Sequence, residues 1–434
     1  MDGSLIGFLS LVAVLGLIAF GIPVAISILS VTILGMYALL GDSFLFTTFE
    51  TSVWASSTKY SFAVIPMFIL MGEFAGGSRI ITDLYNACYR WLGGMRGGVY
   101  NSTILASAGF AAISGSTIVN AAVFTRVALP EIDRLGYHRG FGAGCIAASG
   151  TLAAMIPPSL TIVLFGFLTE QSIGGLLIAG ILPGLLTGLM LMLMVWISVR
   201  ARPSLAPESV ETFPLREKIA SLWDIWPVAL LATTVLTGIY TGTVSPSAAG
   251  TVGAVGALLI ALIKRRMTME IFLGSLKRTA VISASLFLII IAGLLFSRML
   301  LFSGAVSDLS AFMNSSGFTP FTFMACVVIG FFIFGMFIDP VTMMVISIPF
   351  LFPSVVAMDL NPIWFGIIIV KLIEIAAITP PIGINLFAVM SASDGKVSGS
   401  DIFKGVLPFV LIELCVLGLL LAFPIISTYL PSQM

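Results

Sequence analysis

Residues 180–199 run for twenty positions without an acidic or basic side chain. A helix of that length reaches across the hydrocarbon of a bilayer. Comparable apolar runs cover 5–40 and 406–423 and recur to the end of the chain, so no stretch is left for a soluble domain of any size. Hydrophobic residues make up 59% of the 434 positions and charged ones 9%. Soluble domains carry about a quarter charged residues, so this inventory cannot build a water-facing shell. The sequence specifies an all-α polytopic protein whose solvent is the lipid bilayer.

Net charge is zero, which gives no reason to expect nucleic acid as a partner. The four cysteines, Cys88, Cys145, Cys326 and Cys415, stand singly in apolar context, and His138 is the one histidine. Cys/His metal sites and haem attachment lack their ligand spacing, and the cysteines read as small apolar filler. Residues 1–20 have no basic n-region and no A-x-A-like cleavage site, so a retained span is expected there.

The prolines carry an internal repeat. Pro157-Pro158 is answered by Pro380-Pro381, 223 residues on, and the same offset joins Pro130 to Pro353 and Pro23 to Pro246. Beyond the double prolines the offset becomes 225, from Pro183 to Pro408. Two repeats follow, 1–199 and 225–434, joined by a polar linker over 200–224. Pro23 marks a break that splits 5–40 into two helices.

Basic residues mark cytoplasmic loops. Arg79, Arg90 and Arg96 fall in one expected loop (78–97), and Arg134 and Arg139 in another. The apolar stretch between them has basic residues at both ends, so 98–132 is expected to be a re-entrant hairpin with its tip at Ser114-Gly115-Ser116-Thr117. Its counterpart, 321–355, has its tip at Ile338-Asp339-Pro340. The flanks of that second hairpin, 303–319 and 357–362, contain no Lys or Arg and read as periplasmic loops. Arg200, Arg202, Arg216 and Lys218 place the linker in the cytoplasm, and so do Lys264, Arg265, Arg266, Lys277 and Arg278 for the later loop. Each repeat then has three scaffold spans (within 1–77 and 225–300), a hairpin, a proline-broken helix (140–169 and 363–393) and a final span. An odd number of crossings inverts the second repeat relative to the first.

Inverted repeats with broken helices place a binding site near the midplane, because backbone polar groups cannot be left bare in lipid. Proline lacks an N–H and clashes with the preceding turn, so the helix opens at Pro157-Pro158 and at Pro380-Pro381. The freed carbonyls suit a cation, and the following half-helix N-termini suit an anion. The tips bring Ser114, Gly115 and Ser116, with Asn120 one turn on, and Asp339, Pro340 and Thr342. The breaks bring Gly150, Thr151, Ser159, Thr379, Gly383 and Asn385. Oxygen ligands of this kind match sodium rather than a transition metal. Alternatives stand beside each assignment. The small residues permit close helix packing, a double proline also makes a plain kink, and Asp339 is also a helix cap. An ionisable residue within the membrane is otherwise a functional candidate by default. Lys371 and Glu374, at i and i+3, form either a self-neutralising pair or part of a coupling path. His138 is expected to be exposed, and Lys264–Arg266 to be a topology signal.

The chain resembles the large membrane subunit of the tripartite ATP-independent periplasmic (TRAP) transporters, within the wider ion-transporter superfamily. The resemblance rests on FGIPVAISI (20–28), the SGST tip, VALPEIDRLGYHRGFGAGCIAASGTLAAMIPPS (127–159), FIDPVTMMVISIPFLFP (337–353) and NPIWFGIIIVKLIEIAAITPPIGINLFAV (361–389). It implies an elevator-type transport domain moving against a scaffold in the bacterial inner membrane. It also implies sodium as the coupling ion, no other cofactor, a small organic anion (a carboxylate) as substrate, and two partners. These are a small four-helix membrane subunit and a periplasmic solute-binding protein. By the resemblance, Ser116 and Asp339 line the sodium and substrate sites. Two departures are visible: Ser245-Pro246-Ser247-Ala248-Ala249 replaces a TPTEA-like stretch, and Lys371 is not expected.

Other functions are weighed against this one. A stand-alone member of the superfamily (a dicarboxylate symporter, a sodium/proton antiporter or an arsenite-efflux protein) would need no binding protein. An intramembrane protease would need a histidine on a membrane helix, or two membrane aspartates. His138 lies in a basic loop, and only Asp339 qualifies as a membrane aspartate, so no enzyme is expected.

Overall fold

A computed structural model describes residues 2–207 and 211–434. Positions 208–210 of the expected linker lie outside the described residues. Among the described residues eight helical segments are long and apolar enough to cross a membrane, and one bent pair supplies a ninth.

The chain opens with α1 (Gly3–Ala19) and α2 (Val24–Ser57), separated at the proline-marked break. α2 is itself interrupted at Gly41, where φ is +79°. α3 (Val64–Gly77), α4 (Ile80–Leu92), α5 (Gly98–Ser114) and α6 (Thr117–Arg134) follow, and α5 and α6 are the arms of the first hairpin. α7 (Arg139–Met155) and α8 (Leu160–Thr169) form the first broken helix, bent by 41°. α9 (Ile173–Ala179) and α10 (Ile181–Ala201) complete this half, and α11 (Leu215–Leu222) lies in the linker.

The second half repeats the plan with α12 (Trp226–Tyr240), α13 (Pro246–Ile263), α14 (Met269–Ser303) and α15 (Ala305–Ser315). Its hairpin is α16 (Pro320–Gly335) and α17 (Pro340–Ala357), its broken helix α18 (Pro362–Ile378) and α19 (Ile384–Ala392), and its last span α20 (Gly399–Ala422). Proline at the first helical position needs no N–H, and a preceding Ser, Thr, Asp or Asn caps the exposed donors. That pairing starts four helices here: Ser245-Pro246, Thr319-Pro320, Asp339-Pro340 and Asn361-Pro362, each with its side chain accepting from the first turn.

Two expected loops are helices. The 78–97 segment contains α4, whose Ile80, Ile81, Leu84, Tyr85 and Cys88 are buried while its polar face is open. The 303–319 segment contains α15. The amphipathic period was present in both, but their polar residues masked it. The linker is also less free than its polarity suggests. Leu205 is buried, and its carbonyl accepts from Tyr100 Oη (2.8 Å) and from His138 N (3.1 Å). Of the Lys264–Arg266 run, Lys264 and Arg266 converge on Asp83 at 3.1 and 2.5 Å, clamping the α13–α14 turn to α4.

The broken helices form the centre. Every residue of α7 from Gly140 to Met155 is buried, as is every residue of α18 from Trp364 to Ile378. The small residues of α7 serve close packing: a Cβ on Gly144 would stand 2.4 Å from the Gly405 carbonyl of α20. Helices that approach this closely need glycine on both faces.

Candidate functional site

At the first tip, α5 ends at Ser114, Gly115 turns the chain with φ +61°, and Ser116 is the extended N-cap of α6. The tip seats directly on the first break. The Gly115 carbonyl accepts from Leu160 N at 3.3 Å, and a Cβ on Gly115 would lie 2.6 Å from the Pro158 carbonyl. Pro157 and Pro158 are buried and joined by a cis bond. Ser159 caps α8 through Ile162 N and donates to the Ala154 carbonyl. Behind the tip a neutral polar chain crosses three helices. Ser107 Oγ lies 3.0 Å from Asn120 Oδ1 and 2.8 Å from the Ser149 carbonyl. Gly150 lets α7 approach Ala121 of α6, and Thr151 donates to the Ala148 carbonyl. Ser114 Oγ is buried without a hydrogen-bond partner.

At the second tip Asp339 is the N-cap of α17. One carboxylate oxygen accepts from Val341 N and Thr342 N at 3.1 Å each, and the other from the Thr342 hydroxyl. The capping role is therefore realised. This tip faces its break across a cavity of about 260 Å³ lined by Asp339, Pro340, Ala376, Ile382 and Gly383. Pro380 is half-buried and Pro381 exposed, again with a cis bond between them. Thr379 donates to the Ile375 carbonyl. Gly383 (φ +50°) starts α19 without a side-chain cap. Asn385 Nδ2 donates to the Ala147 carbonyl, tying the second broken helix to the first, while its Oδ1 is buried and unpartnered.

Lys371 and Glu374 do pair, 2.9 Å apart and fully buried. A third charge joins them: Glu413 of α20, also fully buried, forms an ion pair with Lys371. Thr187 of α10 accepts from Lys371 Nζ at 3.0 Å.

The family model for the DctM component of the tripartite ATP-independent periplasmic transporters matches residues 11–426. The chain belongs to that family. Among its relatives, the C4-dicarboxylate TRAP transporter large permease protein of Pseudomonas aeruginosa is 35% identical over 388 residues, covering 88% of this chain and 86% of that one. The ectoine/5-hydroxyectoine TRAP large permease of Ruegeria pomeroyi is 28% identical over 417 residues (95% and 96%). The sialic acid TRAP large permease of Vibrio cholerae is 25% identical over 433 residues (100% and 98%). In fold, the permease is similar to the YdaH transporter of Alcanivorax borkumensis, with a TM-score of 0.62 at 15% identity over 88% of this chain and 89% of that one.

The TRAP permease thus gathers the expected residues into two modules. Ser114, Gly115, Ser116, Pro158 and Ser159 meet at one, and Asp339, Pro340 and Gly383 at the other. Ser114 Oγ and Asn385 Oδ1 are hard oxygens left without a hydrogen-bond partner. Among the described residues no cluster of three His, Cys, Asp or Glu side chains is arranged for a metal. His138 is exposed as expected, and its Nδ1 additionally caps α7 through Phe141 N. Two members of the Lys371 cluster were missed. Glu413 announces itself as the one acid within the apolar run of α20 after Asp401, and an intramembrane acid is a functional candidate by default. Thr187 carries no such signal.

Proposed function

We propose that this chain is the large permease subunit of a sodium-coupled, binding-protein-dependent importer of a small organic anion, a carboxylate, working by an elevator movement. A single observation carries the reading: each hairpin tip faces a proline-opened helix of its own repeat, so ligands from four half-helices converge. Two N-termini in these modules, those of α6 at Ser116 and α19 at Gly383, lack side-chain caps, and the two helices pack together. Uncapped N-termini favour an anion, and unpartnered hydroxyl and amide oxygens favour sodium. The hairpins, broken helices, α10 and α20 form the moving body, and α1–α3 with α12–α14 form the scaffold. The dicarboxylate and sialic acid relatives named above support the substrate class. The partners are a small four-helix membrane subunit and a periplasmic solute-binding protein, and the site of action is the bacterial inner membrane.

Uptake in vesicles tests this reading. It should require an imposed sodium gradient, the binding protein and the small subunit together. Full uptake by this chain alone would reject the tripartite assembly. Uptake indifferent to sodium but abolished by a protonophore would reject the cation. Cysteine labelling of 78–97 and 133–139 from opposite membrane faces would reject the re-entrant first hairpin.

A further inference from the structure

Lys371, Glu374 and Glu413 are the charged side chains in the buried core among the described residues, and each is fully enclosed. Their protonation can be read from hydrogen-bond direction. The Thr187 hydroxyl donates to the Pro183 carbonyl at 2.8 Å, so the oxygen that meets Lys371 Nζ at 3.0 Å presents a lone pair. Nζ therefore donates to it. Nζ donates to Thr187 Oγ1 and Glu374 Oε2 and forms an ion pair with Glu413 Oε2. The two carboxyls beside it hold the lysine as the cation.

One positive charge then stands against two carboxyls. Were both ionised, the enclosed cluster would carry a net negative charge. Glu374 Oε1 and both oxygens of Glu413 are buried without a hydrogen-bond partner, so apart from the Lys371 charge nothing compensates it. The helices packed on α18 supply none. α10 offers Thr187. α7 carries Cys145 and, at its exposed start, Arg139. α16 carries Cys326, which is exposed. α8, α9, α17 and α19 carry no charged residue within their spans, and the remaining ionisable groups of α20 are Asp401, Lys404 and the exposed Cys415. An unpaired charge enclosed in such a place is strongly unfavourable, and protonating one carboxyl removes it.

We infer that Glu374 and Glu413 share one bound proton beside Lys371, forming a proton-binding site inside the transport body between α10, α18 and α20. The shared proton makes the cluster neutral, and because the carboxyls interact it belongs to the pair rather than to either residue. Glu374 lies five residues before Thr379, at the mouth of the second break. The first repeat has no equivalent: the positions matching Lys371, Glu374 and Glu413 at offsets of 223 and 225 are Ala148, Thr151 and Gly188. The charged members of the site therefore belong to the second half of the molecule alone, with Thr187 of the first half as their neutral partner.

Infrared difference spectroscopy of the full chain with its small subunit, at neutral pH, counts the proton. The carbonyl stretch of a protonated carboxyl, identified by its shift in deuterium oxide, is expected in the wild type. Glu374→Gln and Glu413→Gln should each abolish it, because the remaining carboxylate then pairs with Lys371. Lys371→Met, which leaves two carboxyls without a cation, should double it. A wild type without the band would overturn the proposal, since the cluster would then be fully ionised. A band that survives either glutamine substitution would overturn it as well. Both glutamine variants preserve side-chain shape, so the count stands even if Lys371→Met does not fold.

Discussion

The two tip-and-break modules share a plan and differ in closure. In the first, Gly115 touches Pro158 and Leu160, both prolines are buried, and fourteen of the seventeen residues of α5 are buried. In the second, a cavity of about 260 Å³ separates Asp339 from the break, Pro381 is exposed, and five of the sixteen residues of α16 are buried. A further apolar cavity of about 370 Å³ separates the second hairpin from α1 and α15. One hairpin is thus part of the core, and the other rests against it with room on both sides. Segments with few buried contacts are those that open at low cost, and the first arm of the second hairpin, α16, is such a segment.

Substitution at the turning glycines should expose the difference most strongly. Gly115→Ala must accept a positive φ, which costs an L-residue about 1–2 kcal/mol, and its Cβ would collide with the Pro158 carbonyl at 2.6 Å. Backbone cannot yield as a side chain does, so the tip should lift off the break. Uptake is expected to fall roughly 100-fold, the scale of an ångström-sized misplacement of binding groups. At Gly383 a Cβ would meet the Leu386 side chain at 2.8 Å and the Thr379 carbonyl only at 3.1 Å, beside the open cavity. Gly383→Ala should cost no more than about 1–2 kcal/mol of strain and leave most uptake intact. Equal losses in the two variants would break the contrast.

Accessibility gives a second, smaller measure. With the exposed Cys326 and Cys415 replaced, Ile382→Cys at the second break should react readily with a thiol reagent, while Ile162→Cys at the first should not. Ile382 is 40% exposed and Ile162 1%. Substrate and sodium together should slow the first reaction if they draw the second hairpin shut. Matching rates at the two positions would mean that the modules are equally closed.

Asp339 tests what the open module binds. Asparagine caps a helix about as well as aspartate but carries no charge, so Asp339→Asn should leave expression and melting temperature nearly unchanged. The sodium concentration needed for half-maximal uptake is expected to rise about tenfold, equivalent to ~1.4 kcal/mol of lost ion binding. Asp339→Ala should in addition lose about 1 kcal/mol of capping. Wild-type sodium dependence in the asparagine variant would leave Asp339 a cap and nothing more.

The contrast also separates what the sequence could and could not reveal. Helix starts were legible at Ser245-Pro246, Thr319-Pro320, Asp339-Pro340 and Asn361-Pro362, and both breaks were legible in Pro157-Pro158 and Pro380-Pro381, because proline acts on its own backbone neighbours. Closure was not legible: the two double prolines are chemically alike, and what covers one of them is a hairpin tip, Gly115, about forty positions upstream. The Lys371–Glu374 pair was visible because both lie on one helix at i and i+3. Glu413 lies on another helix, and only the packing of α20 on α18 brings it to Lys371. Local rules thus found the elements, and the tertiary fold supplied the asymmetry.

Ser116 offers the finest test, because it holds the position in the first tip that Asp339 holds in the second, 223 residues away. Both are N-caps with extended backbone. Asp339 spends its carboxylate on α17, whereas the Ser116 hydroxyl makes no capping bond to α6. Serine at an N-cap is ordinarily worth about 1 kcal/mol over alanine; here that contribution is absent, so Ser116→Ala should leave the melting temperature unchanged. A hydroxyl not used for capping is available as a neutral ligand, and its removal should raise the sodium requirement about threefold, less than loss of the Asp339 charge. If the variant instead melts lower by a full cap's worth, the hydroxyl caps α6 and the two tips are alike in that respect. If neither stability nor sodium dependence changes, Ser116 holds no ion, and the closed module contributes only backbone to the site.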